Sequence, residues 1–144
     1  MRKKVVAFVL AVTAGLGLYA QSIDDIVAIG DKDVCTIADL AVMAPAIVEA
    51  FPDDVALAER LEGSLSGYDA IDVLTKSKAS LIVASSLRLR SSLLFIMFPL
   101  KRYAFRALVM DGIFSPASSG GETMSGLDLF NFISTIERSY AVAP

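Results

Sequence analysis

Three times along this chain a hydroxyl residue is followed by a short polar turn and then by an apolar stripe at helical spacing. At Thr36 the text is "TIADLAVMAPAIVEAF", in which Ile37, Leu40, Ala41, Ala44, Ile47 and Val48 stand at offsets 0, 3, 4, 7, 10 and 11. That spacing puts all six on one face of an α-helix. Thr36 can cap it, and Asp39, three residues on, suits both a capping box and the positive end of the helix dipole. Pro45 should kink this helix or divide it in two. At Thr75 the stripe is Ala79, Ile82, Val83 and Leu87, at offsets 0, 3, 4 and 8, with Lys78, Ser85 and Arg88 facing elsewhere. At Ser125 it is Leu129, Phe132, Ile133, Ile136 and Tyr140, at offsets 0, 3, 4, 7 and 11, and Asp128 repeats the capping spacing. A chain written this way must bury three apolar stripes against one another. The expected fold class is therefore mainly α: a compact bundle of short helices, arranged as two to three diverged helix-loop-helix repeats. The starts lie 39 and 50 residues apart, which suits diverged modules better than a strict solenoid period.

The connectors carry helices of their own. "FPDDVALAERLEG" offers Asp53 or Asp54 as a cap and Gly63 as a stop; "FPLKRYAFRALVMDG" offers Pro99 at a helix start, Leu100, Tyr103, Ala104, Ala107 and Leu108 on one face, and Gly112 as a stop. Both segments begin Phe-Pro and end acid-Gly. "SPASSGGETMSG", Ser115 to Gly126, is a loop by composition, and "SLLFIMF", Ser92 to Phe98, has the length and character of a short strand.

Ahead of all this stands "MRKKVVAFVLAVTAGLGLYAQ", with three basic residues before a charge-free run from Val5 to Leu18. This is the layout of a secretory signal peptide. The run is shorter than the roughly 20 residues of a spanning helix, which disfavours the alternative of a retained anchor. We expect residues 1–20 to be removed after Ala20, although the bulk of Leu18 allows the cut to shift, and Gln21 in place of cysteine argues against a lipid anchor. Residues 21–144 form the expected single domain. The protein is thus expected outside the cytoplasm, periplasmic or associated with the cell envelope, meeting the membrane only during export. Cys35 is the only cysteine, so no intramolecular disulfide can stabilise it. Such a thiol is either buried or paired between chains, and its place just before an apolar run favours burial.

Loss of Arg2, Lys3 and Lys4 with the leader takes the formal charge from −3 to −6. A nucleic-acid partner is disfavoured. The charge is unevenly placed: Gln21 to Thr75 holds 12 acids and two bases, whereas Lys76 to Arg106 holds seven bases and no acid. Such asymmetry fits either a solvated face balancing the acidic half or a basic face for an anionic partner. A membrane span here is disfavoured, because Arg88 and Arg90 would each cost roughly 2.5–3.5 kcal/mol at mid-bilayer.

The segments "DVCTIADLAVMAPAIVEA", "YDAIDVLTKSKASLIVASSLRL" and, from Arg102 to Ser134, "RYAFRALVMDGIFSP" with "SGGETMSGLDLFNFIS" together resemble S-layer homology modules. The resemblance covers most of the chain beyond the leader, through short motifs. It implies anchoring to peptidoglycan or another cell-wall polymer, with a basic residue after the hydroxyl contacting the anionic glycan. Only Thr75 with Lys76 matches that pattern; Ile37 follows Thr36 and Gly126 follows Ser125. Three unrelated capped helices in one bundle are the alternative.

The residue types needed for most catalysis are missing. There is no histidine, which removes His-based triads and the usual His-containing zinc sites. A calcium loop counted from Asp31 fails at Thr36, where glycine is wanted, and at Val42, where a bidentate glutamate is wanted. Thr75 to Lys78 has the spacing of a hydroxyl-x-x-lysine nucleophile without its companion motifs, and a helix cap explains it more simply. Gly120 and Gly121 lack the ending of a phosphate loop. Asp53 and Asp54 suit capping better than glycoside chemistry. We therefore expect no enzyme, no metal and no cofactor. One constellation survives as a candidate polymer-binding site: Thr75, Lys76, Lys78, Arg88, Arg90, Lys101, Arg102, Tyr103 and Arg106, with Phe105 among them. If the helices gather these cations, they can hold carboxylate-rich or phosphate-rich polymer by charge-assisted hydrogen bonds. The rival expectation is a protein–protein or self-assembly module of an envelope complex, its apolar excess lining an interface.

Overall fold

The computed structural model describes residues 19–89 and 92–141. The expected leader, apart from its last two residues, lies outside this range. Among the described residues seven short helices pack into one bundle: α1 (Tyr19–Gly30), α2 (Ile37–Ala50), α3 (Leu57–Leu65), α4 (Lys76–Leu87), α5 (Leu93–Met97), α6 (Lys101–Met110) and α7 (Gly126–Ile136). A π-helical turn, Glu137–Ala141, extends α7. No strand forms among the described residues, only isolated bridges at Thr36–Val73 and Thr75–Thr123.

The three hydroxyl caps form where the spacing places them. The Asp39 carboxylate accepts the Thr36 N–H at 2.8 Å, and Asp128 accepts the Ser125 N–H at 3.1 Å while Ser125 Oγ accepts the Asp128 N–H at 3.1 Å. Thr75 Oγ1 accepts the Lys78 N–H at 3.3 Å, but Lys78 has no acceptor to return, so this box stays half closed. Asp39 is buried and ion-paired with Lys32 at 2.7 Å.

The segments just before the three caps meet at the centre of the molecule. Cys35 donates its N–H to the Met124 carbonyl at 2.7 Å, Met124 to Leu74 at 3.2 Å, and Leu74 back to Cys35 at 2.9 Å. Each residue immediately precedes a cap, and each is completely buried. The three-way ring therefore satisfies backbone groups that no helix or sheet could reach. Two of its spokes extend identically. Ile37 and Ala38 donate to the carbonyls of Asp72 and Ala70, and Lys76 and Ser77 donate to those of Glu122 and Gly120. In both pairs the acceptors lie three and five residues before the next cap. The third spoke slips by one, Gly126 donating to Lys32 at 2.9 Å. Around this hub α2 packs on α3, α3 on α4 and α4 on α6, while α7 packs on both α1 and α2, which also contact each other.

Several details differ from expectation. Helix α2 runs unbroken through Pro45, so the chain is not divided there. Buried Ile37, Leu40, Ala44 and Ile47 on both sides of the proline hold the register. Their burial, about 1.5–3 kcal/mol for each large side chain, outweighs the roughly 3 kcal/mol that an interior proline costs. Helix α3 continues through Gly63 because Leu57, Leu61 and Leu65, four apart, are all buried. Its cap position is Ala56; Asp54 instead pairs with Arg60, which also donates to the Ser86 carbonyl at 2.7 Å and so ties α3 to the end of α4. "SLLFIMF" is helix α5, begun by Ser92 Oγ accepting the Phe95 N–H at 3.4 Å. Helix α1 is an addition to the helices that the sequence pattern predicts.

Helix α4 is more deeply buried than a single stripe implies. Ala79, Ile82 and Val83 enter the main core, while Ser80, Ala84 and Ser86 are buried as well. The reason is position: α4 lies between α3 and α6. Small residues permit the close approach, and the serines stay satisfied by bonding one turn back, Ser80 to the Lys76 carbonyl at 2.6 Å and Ser86 to Ile82 at 2.7 Å. Helix α6 ends at Gly112 as expected. Gly112 takes a left-handed φ of 81°, its N–H donating to Val109 at 3.1 Å and that of Ile113 to Leu108 at 2.8 Å, the paired bonds of a Schellman stop.

Candidate functional site

The first turns of α4 and α6 and the loop before α7 enclose a cleft of about 510 Å³. Ser77 contributes from α4, Gly120 and Gly121 from the loop, and Leu100, Lys101, Arg102, Phe105 and Arg106 from the start of α6. The Ser77 N–H, bonded to the Gly120 carbonyl at 2.9 Å, fixes the loop against α4. Phe105 leads from the cleft into an aromatic column, 5.4 Å from Phe114, which stacks on Phe132 at 5.2 Å.

The electrostatics of this cleft are one-sided. Lys101 and Arg102 occupy the first turn of α6, which carries no acid. Cations there oppose the helix dipole by about 0.3–1 kcal/mol each, and Arg102 and Arg106 form a like-charge i,i+4 pair that costs a few tenths more. Among the described residues, no carboxylate lies within ion-pair distance of these three. Helix α4 likewise opens on Lys76, Ser77 and Lys78 with no acid in its first turn. Two helix N-termini and three uncompensated cations thus border one cavity, and an anion entering it would relieve every one of these unfavourable terms.

The structure gathers some of the candidates and separates others. Lys101, Arg102 and Arg106 line the cleft. Tyr103 faces the other way: it is half-buried, 6.2 Å from Phe98, with the Arg102 guanidinium 5.0 Å from its ring centroid. Lys76 lies beside the cleft but is engaged, 3.2 Å from Glu122 and 5.8 Å above the Phe114 ring. The Ser119 N–H and then Lys76 hold the Glu122 carboxyl below its usual range. Lys78 donates to the Val73 carbonyl at 3.0 Å, and Thr75 is occupied as the α4 cap. Arg88 terminates the 12-residue α4, about 18 Å from its start. Arg90 lies outside the described residues. Sequence reasoning missed Ser77, Leu100, Gly120 and Gly121 as cleft residues. For Ser77 the signal was present, since it follows the one cap-and-base pair.

Cys35 is not part of this cleft. Its thiol is wholly buried in the hub, and burial, reinforced by Asp39, pushes it up to about 11. It is protonated at neutral pH and out of reach of a second chain.

No protein-family model, no curated protein and no solved structure matches this chain.

Proposed function

We propose that this is an exported, non-enzymatic protein of the cell envelope that binds peptidoglycan or another anionic wall polymer in the cleft between α4 and α6. The observation that carries the reading is the convergence of Lys101, Arg102 and Arg106 on one cavity without a compensating carboxylate among the described residues. Anionic groups of a glycan polymer supply the missing charge, while Leu100 and Phe105 offer an apolar wall for the C–H face of a sugar ring. The likeness to S-layer homology modules belongs to the same proposal. It is supported by the hub, in which three cap-preceding residues bond in a circle and two spokes repeat the same register. On this view each hydroxyl-led helix opens a diverged unit, α2 with α3 and α4 with α6, and α7 begins a third.

The test is retention on purified peptidoglycan sacculi. Wild-type protein should co-sediment, progressively less as salt rises, because exposed cations are screened beyond about 10 Å at 0.1 M. The variant carrying Lys101→Gln, Arg102→Gln and Arg106→Gln should be lost from the pellet at low salt. Equal retention of the two proteins removes the proposal.

A further inference from the structure

Helix α5 and the residues after it form an apolar surface that faces outward. Leu93 is 71% exposed, Met97 61%, Leu94, Ile96, Phe98 and Leu100 each about half, and only Phe95 turns inward, against Ala84 and Ala104. Six large apolar side chains within eight residues expose several hundred Å², the size at which a patch marks an interaction surface. The helix is amphipathic in the inverted sense, one anchor in the core and the rest in solvent.

Its surroundings identify the kind of surface it fits. From Val73 to Met110 the chain has no carboxylate side chain, although the protein as a whole is acidic. Exposed Arg88 precedes α5, and exposed Lys101, Arg102 and Arg106 follow it. An apolar patch with a cationic border is the pattern of a segment lying in the plane of an anionic bilayer, apolar side chains among the acyl chains and bases at the phosphates. A protein partner or a second copy would need an acidic collar of its own to match that border, and the acids of this chain lie mainly between Asp24 and Asp72, on other elements. Among the described residues, no helix is long and apolar enough to cross a membrane. We infer that α5, Leu93–Met97, with Phe98 and Leu100, docks this protein onto the surface of an anionic lipid bilayer. The apolar side chains of α5 itself do not line the cleft, although Leu100, Lys101, Arg102 and Arg106 belong to both surfaces.

The full chain with Met97→Cys, labelled with an environment-sensitive fluorophore, reads the docking directly. Buried Cys35 does not compete for the label. The same label at Val55→Cys, 94% exposed just before α3, is the reference. Vesicles of phosphatidylcholine with about one third phosphatidylglycerol should blue-shift the probe at position 97 and leave that at 55 unchanged. Phosphatidylcholine alone should bind at least tenfold more weakly, because the attraction of the bordering cations to anionic headgroups is lost. Leu94→Ser with Ile96→Ser should weaken partitioning by about tenfold or more per side chain. Retention of that variant on sacculi should not change, which separates failure of this inference from failure of the cleft. The inference is overturned by an unmoved probe at 97 or by equal shifts at 97 and 55. It is also overturned by a shift that needs no vesicles and follows protein concentration, which would make the occupant a second copy.

Discussion

Replacing Gly126 with alanine adds a single methyl at the place where two backbones come closest. A Cβ there would lie 1.8 Å from the Ile29 carbonyl oxygen, 2.7 Å from its carbon and 2.9 Å from Gly30 Cα. None of these atoms belongs to a side chain that could rotate away, so the start of α7 must move more than an ångström from the end of α1. That displacement breaks the Gly126 N–H bond to Lys32, strains the Ser125–Asp128 capping box, and pulls on the Met124 position in the hub. Overpacking costs about 1–3 kcal/mol, a hydrogen bond about 1 and a cap about 1. Together they come to roughly 3–5 kcal/mol out of a total stability of about 5–15. For a chain of this size the melting temperature should fall by on the order of 10–20 °C, followed by circular dichroism at 222 nm. Gly63→Ala is the matched control. It is the same chemical change inside a helix, with no atom within 4 Å of the new Cβ, and it should raise stability by roughly 0.5–1 kcal/mol. If Gly126→Ala melts with the wild type, or both variants fall together, then α1 does not abut α7.

Two further outcomes follow from backbone strain and from burial. Arg88 ends α4 at φ 54°, a left-handed position that glycine occupies without strain, so Arg88→Gly should raise the urea midpoint by the equivalent of about 1 kcal/mol. A loss would mean that the arginine side chain holds a contact worth more than its strain. Because the folded state keeps the Cys35 proton to about 11 while the unfolded chain releases it near 9.0, stability contributed by the neutral thiol is complete below pH 9 and is lost as pH rises toward 11. Tyr68 and Tyr140, both raised by burial, Tyr140 also by its bond to Asp111, steepen the decline above their ordinary range. At about pH 10.5 the cysteine share is on the order of 2 kcal/mol, so Cys35→Ala should flatten the alkaline slope in urea titrations; an unchanged slope would place the thiol in contact with solvent.

What could be read in the sequence were features set by neighbours three or four residues apart. The caps at Thr36 and Ser125 have an acid three residues on, the stripes behind them have helical period, and both local signals agree with the fold. Gly112 was equally legible, because a Schellman stop is a local motif. Helix α1 was not, since its apolar residues do not report burial: Ile23 and Val27 are about half exposed or more, and among the described side chains of this helix only Ile29 is fully buried. Helix α5 has five residues, too few for a period, and an apolar run of that length reads equally as strand or helix. The burial of α4 on two faces depends on α3 and α6 flanking it, which no pattern within α4 records. The candidate site shows the same division. The run of cations was plain in the sequence, but which of them meet depends on helix length and phase. Twelve residues of α4 carry Arg88 away from Lys76, whereas a four-residue interval brings Arg102 and Arg106 to one side of α6.

The hub also gives a physical reason for the residue that follows each cap. All three positions donate their N–H groups to a neighbouring segment, so their backbones are used alike, but their side chains meet different surroundings. At Ile37 the side chain is wholly buried, and a lysine there would have to leave its charge in the core. At Gly126 no side chain of any kind fits against the Ile29 carbonyl. Only at Lys76 does the neighbouring loop leave an opening, and there the ammonium meets both a carboxylate, Glu122, and the Phe114 ring. A single base among three caps is thus what packing permits. Because Lys76 is already ion-paired, a ligand anion beside it would find cations without a carboxylate partner in Lys101, Arg102 and Arg106 across the cleft. Neutralising those three should therefore weaken polymer retention more than Lys76→Gln does, and the reverse order would move the binding surface back to the cap.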